Sequence, residues 1–171
     1  MIEPLQKILN QQDFLEITQQ ELKRIYLYHD NLSLLIINFD HLEQIENEQF
    51  KQAQISQILQ INLRSDDFFA NLTQDNFVIL LPFANTSAAL KVAQRLYRIL
   101  SGMSFMSNQN LIQPIIKIGI ASYQETEHNI EIILERAREA LMMAKNQNNS
   151  FYIVHPFDAS KRVSISNSYI N

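Results

Sequence analysis

Residues 32–39, LSLLIINF, are apolar at nearly every position for the length of one strand. A strand with one wet face alternates apolar and polar residues. A run without alternation is what a strand covered on both faces requires. The rest of the chain must therefore supply two covering layers, and its helical periodicities do so. Residues 4–28 read as a helix broken near Asn10, with Leu15, Leu22 and Ile25 at helical spacing. A polar stretch at 40–49 leads into a second helix ending near Arg64, with Ile55, Ile58 and Leu59 on its inner face. A third starts at a cap on Asn85 or Thr86 and runs to about Ser101, burying Ala89, Ala93, Leu96 and Leu100. The clearest amphipathic helix is 129–146, with Ile130, Ile133, Leu134, Ala137, Leu141 and Ala144 in one stripe.

The remaining strands are short. FFANL (68–72) and NFVILLP (76–82) flank a very short turn, a hairpin signal without the usual Asn-Gly or Asp-Gly. Residues 102–110 read as a loop. Residues 111–123 read as one strand with Pro114 near its start, which makes that end an edge. FYIV (151–154) is a last strand, and the polar tail 156–171 is expected to be frayed. The order α, β, α, β-hairpin, α, β, α, β predicts a single α+β domain over residues 1–155. Its expected architecture is a palm-like or ferredoxin-like fold, a central mixed antiparallel sheet flanked by helices. Such folds host many functions, so the chemistry must come from particular residues.

Composition narrows that chemistry. The absence of cysteine removes disulfides, thiolate metal sites and thiol catalysis together. With no signal-like N-terminus and no long apolar run, it favours a cytoplasmic location without a membrane span. A net charge of −4 argues against DNA or RNA as a partner. Gly102 and Gly119 are the only two glycines, so a glycine loop that cradles phosphates has almost nothing to be built from. His29, His41, His128 and His155 are scattered, with no partner at metal-ligand spacing.

Short motifs in order carry a resemblance. EPLQKILNQQDF is similar to an opening Asp-Pro-Leu-Thr-Gly-Leu-x-Asn-Arg-Arg-x-Phe, matching at Pro4, Leu5, Asn10 and Phe14. LSLLIINFDHLEQIEN resembles a first strand followed by Asp-x-Asp. LRSDDFFANLTQDNFVILLP resembles Leu-Arg-x-x-Asp, a strand, Gly-Gly-Asp-Glu-Phe and a second strand. KIGIA resembles Ser-Ile-Gly-Ile-Ala, and ERAREALMMAKNQNN resembles a helix ending in Ala-Lys-x-x-Gly-Arg-Asn. The whole, from about residue 3 to 154, resembles a GGDEF (diguanylate cyclase) domain.

Members of that family join two GTP molecules, one from each of two facing domains, using divalent metals at the phosphates. The resemblance places the metal-binding aspartate of the first strand at Asn38, the carbonyl ligand at Phe39, and the signature at Thr73, Gln74, Asp75, Asn76 and Phe77. A neutral amide is a poor ligand for a hard cation. Thr73 and Gln74 put side chains where glycines would allow close approach to phosphate. The guanine-recognising positions fall on Glu46 and Ile55. Of the phosphate-side cations, Lys145 is kept and the second is replaced by Asn149. The resemblance therefore implies no catalytic residue, no cofactor and no metal, with a weakly active GTP-binding enzyme as the alternative. Asp40 and Asp75 sharing a cation is weighed against two carboxylates that serve only local turns. One feature is retained: an inhibitory product site of Arg-x-x-Asp plus a helix arginine, here Arg64, Asp67 and Arg95. It implies cyclic di-GMP as ligand. The plainer alternative is a helix-end arginine, a turn-capping aspartate and a solvated helix face. The implied protein partner is another such domain, or a second copy, met through residues 40–50 and 73–76.

Overall fold

The computed structural model describes residues 9–153 and 163–165. The predicted helical turn before Asn10, His155 and most of the polar tail lie outside them. Helix α1 (Gln11–Tyr28) starts on Asn10, whose side chain accepts the Asp13 N–H, and ends on His29 in the left-handed region. Strand β1 (Leu32–Asp40) is buried at every position but its last. It lies between β3 (Asn76–Pro82) and β6 (Ile115–Ser122), antiparallel to both. Strand β2 (Phe68–Thr73) pairs with β3 as the expected hairpin. Strand β7 (Phe151–Ile153) joins β6 in parallel, and β8 (Val163–Ile165) pairs antiparallel with β7. The mixed sheet has the order β2-β3-β1-β6-β7-β8.

Both faces of β1 are covered, as its composition demands. On one face Leu35, Ile37 and Phe39 join Ile55 and Leu59 of α2 (Glu48–Asn62) and Ala89, Ala93, Leu96 and Leu100 of α3 (Thr86–Ser101). On the other, Leu34 and Ile36 join Phe14, Leu22 and Ile25 of α1 and Ile133, Ala137 and Leu141 of α4 (Ile130–Asn146). Helices α2, α3 and α4 begin on Asn47, Asn85 and Asn129, each accepting a first-turn N–H. The layers stack helices, sheet, helices.

Three expectations need correction. The loop at 102–110 contains a small hairpin, β4 (Phe105–Ser107) and β5 (Asn110–Ile112), turned at Asn108 and Gln109, which both take positive φ. That is the backbone of a two-residue turn matched to strand twist. The strand predicted over 111–123 is split at Pro114, which lacks the N–H that would continue a ladder. Part of the tail expected to be frayed contributes β8. No helix among the described residues is long and apolar enough to cross a membrane.

Candidate functional site

The site positions gather where β1 ends and β3 begins, beside the β2–β3 turn. Asn38 and Asn76 face each other in register. The Asn38 amide Nδ2 donates to Asn76 Oδ1 at 2.8 Å, and Asn38 is 5% exposed. One hydrogen bond joins two neutral amides at facing strand positions, where two carboxylates would repel, and the Asn38 Oδ1 is buried without a hydrogen-bond partner among the described residues. The Phe39 N–H donates to the Asp75 carbonyl at 2.8 Å, and the Phe39 ring packs edge-to-face on Phe77 at 5.8 Å. These contacts fix the turn against β1.

The turn is built without glycine because it avoids positive φ. Among the described residues, positive φ is confined to six positions, none of them in 71–77. The register instead shifts between Asn71 and Thr73, a bulge that absorbs the strand twist. Thr73 Oγ1 accepts the Asp75 N–H at 3.4 Å. Thr73 and Gln74 are exposed at the tip.

The other positions answer the sequence reading one at a time. Asp40 turns to its own neighbour, its Oδ1 accepting the His41 N–H at 2.9 Å. That hydrogen bond is the main reason its carboxyl sits below the usual range, helped by the charge of Lys145 on the last turn of α4. Glu46 is exposed, in a loop anchored by the buried Leu42 and Ile45. Ile55 is 1% exposed and belongs to the core, so it offers nothing to a purine base. Lys117, opposite Asn38 on β6, donates to Asn148 Oδ1 at 3.1 Å, and partial burial lowers its pKa. Among the described residues no group of three or more His, Cys, Asp or Glu side chains is arranged to hold a metal ion. The donor set at this turn is a poor match to a hard divalent cation: positions 38 and 76 offer neutral amides, Asp40 serves its own loop, and Asp75 is the single signature carboxylate.

Sequence reasoning missed Lys51. It is 1% exposed, and its Nζ lies 2.7 Å from Glu48 Oε1 and 3.6 Å from Asp75 Oδ1. The signal was present: Lys51, Ile55 and Leu59 recur at the four-residue spacing of one helical stripe.

The second constellation is brought together around the C-terminal end of α2. The Arg64 N–H donates to Asp67 Oδ2 at 2.8 Å, and Arg64 Nη2 lies 3.7 Å from Asp67 Oδ1. Arg95 Nη2 donates to the Asn62 carbonyl at 2.7 Å, at the carbonyl end of the helix where cations are favoured. Arg64 is largely exposed, whereas Asp67 is 2% exposed. Burial, the dominant cause, raises the Asp67 pKa above 3.8 against the opposing pull of Arg64. Its carboxylate closes the Arg64–Asp67 turn, as the plainer alternative had it.

This burial has a testable consequence. A carboxyl whose folded-state pKa is raised contributes stability below the unfolded value of 3.8 and loses it as pH climbs through the folded value. Asp67→Asn keeps the acceptor and removes the buried charge. Its stability relative to wild type should rise across that window and stay flat above it. Asp67→Ala also lacks the titrating group, so it should follow the same pH trend as Asp67→Asn but lie below it by about 1–2 kcal/mol throughout, because the Arg64 N–H has lost its acceptor. Urea unfolding of the three proteins from pH 3.5 to 7, on the order of seven points, resolves these patterns.

A palm-like sheet with a tight turn between β2 and β3 beside the end of β1 defines the GGDEF class of domain. The comparisons agree. The family model for the diguanylate cyclase GGDEF domain matches residues 1–150, and the chain belongs to this family, which works in cyclic di-GMP signalling. The diguanylate cyclase DgcP of Pseudomonas aeruginosa is 27% identical over 152 residues, covering 85% of this chain and 22% of DgcP. The chain spans between about a fifth and a third of the curated relatives it matches. The GGDEF domain of DgcB from Caulobacter crescentus, solved in complex with c-di-GMP, shares the fold with a TM-score of 0.74 at 14% identity, covering 89% of this chain and 90% of that one. Diguanylate cyclase SiaD of Pseudomonas aeruginosa, solved with its activator SiaC, gives 0.74 at 19% identity, covering 85% and 58%.

Proposed function

We propose that this domain is a catalytically inactive GGDEF module that regulates cyclic di-GMP signalling by docking a protein partner and by receiving cyclic di-GMP at Arg64, Asp67 and Arg95. The observation that carries the reading is the Asn38–Asn76 amide pair, which fills two family metal-ligand positions with mutually bonded neutral groups. The side chains of Thr73 and Gln74 and the buried Ile55 support it from the phosphate and base sides. Its setting is cytoplasmic.

The partner side rests on the face formed by residues 40–50 and 73–76. Catalysis in this family needs two such faces opposed, and a domain relieved of chemistry can keep the surface. SiaD, which contains a domain of this fold, was solved in complex with its activator SiaC, and that supports a protein partner for this one. A second copy of the chain or a related domain is the partner this face suits.

The ligand side rests on two guanidinium groups around one helix end. Arginine forks match phosphate oxygens and guanine edges. The DgcB complex with c-di-GMP supports the ligand class. With Asp67 turned inward, Arg64 carries the larger share of recognition. Calorimetric titration should give cyclic di-GMP binding that weakens with salt, no binding in Arg64→Ala, and unchanged binding in Asp75→Ala. GTP with Mg²⁺ should give no heat. Wild-type heat with GTP–Mg²⁺ that disappears in Asp75→Ala would favour the weakly active enzyme instead.

A further inference from the structure

Lys51 is a buried ammonium beside a signature turn that keeps a single carboxylate, Asp75. Burying a lone ammonium is costly, so it persists only where carboxylates answer it. Two do: Glu48, one turn earlier on α2, and Asp75, at the β2–β3 turn. Glu48 is about one third exposed and Asp75 about half exposed, so the cation is the most deeply buried member of the trio. Asp75 is thereby held twice: its carbonyl by the Phe39 N–H of β1 and its carboxylate by Lys51 of α2.

We infer that Lys51 is a built-in counter-cation that ties the signature turn to α2, a task for which catalytic relatives have a metal ion at hand. The inference rests on the reading that this turn no longer binds catalytic metal, and it adds what replaces that charge. The ammonium neutralises the one signature carboxylate left, and the turn needs no added ion to stay formed. It also presents the proposed docking face in one geometry, with α2, the turn and β1 fixed to one another. A partner then meets a preorganised surface and loses less freedom on binding.

The test is amide exchange and Mn²⁺ titration of isotope-labelled protein followed by NMR. In wild type, Mn²⁺ should cause no selective broadening at residues 73–76. In Lys51→Met the Phe39 amide, bonded to the turn, should exchange about tenfold faster. The same variant should gain selective Mn²⁺ broadening at Glu48 and Asp75, whose carboxylates have lost their cation. Asp75→Asn leaves the Lys51–Glu48 pair intact, so it should fold even if Lys51→Met does not. It should still raise Phe39 exchange above wild type. Selective broadening of the wild-type turn by Mn²⁺, or unchanged Phe39 exchange in the folded variants, would overturn the inference. The inactive reading fails separately, through product formed from GTP, whatever the exchange rates show.

Discussion

Gly119→Ala is expected to destabilise the domain by about 3 kcal/mol or more, lowering the melting temperature by roughly 10 °C. Gly119 lies on β6 beneath α4. A methyl group there would sit 2.3 Å from the Ala137 carbonyl oxygen and 2.4 Å from the Leu141 nitrogen. Both are backbone atoms, so relief requires moving the helix rather than turning a side chain. Conformational freedom is not the issue, because no described glycine has positive φ. The small residue is required by the approach of the helix to the sheet. Displacing α4 also displaces Lys145, which it carries toward Asp40. Gly102 provides the control. A methyl group there would meet its nearest atom at an ordinary 3.5 Å, so Gly102→Ala should be neutral or slightly stabilising. Thermal melts of both variants separate packing from composition.

The elements that read clearly from sequence are those with strong periodicity. β1 announced itself because no position but its last meets water, and α4 because its stripe runs its full length. The β2–β3 hairpin was legible although its turn lacks glycine, since both flanking strands carry their own apolar signal. β4 and β5 were missed for the opposite reason. Phe105 alone is buried there, and Met106 and Leu111 face solvent, so no alternation marks them. The site was legible as an alignment of positions but not as a geometry. Nothing in the order of residues says that Asn38 and Asn76 bond each other, or that Asp67 turns inward to its own loop. Lys51 and Arg136 show the limit of stripe reading most plainly. Each is a buried cation within a core-facing helix, answered by carboxylates: Glu48 and Asp75 for Lys51, Glu127 for Arg136. A pattern search that counts only apolar residues passes over both.

The second large effect is an absence. The phosphoryl transfer of active relatives depends on positioning and on metal charge at the phosphates. On the proposed reading Asn38 stands at the first-strand ligand position and Asn76 at the fourth signature position, the turn carries Thr73 and Gln74, and Ile55 is sealed in the core. These losses act on different parts of one reaction, so correcting one leaves the others in force. Asn76→Glu alone is therefore expected to restore nothing. It would also place a charged carboxylate where a neutral amide oxygen now accepts from the buried Asn38. The most direct measurement incubates the purified wild-type protein at high concentration with GTP and either Mg²⁺ or Mn²⁺, and follows product by mass spectrometry beside a no-protein blank. The account predicts no cyclic di-GMP above the blank with either metal. Product that accumulates with time and is lost in Asp75→Ala would contradict it.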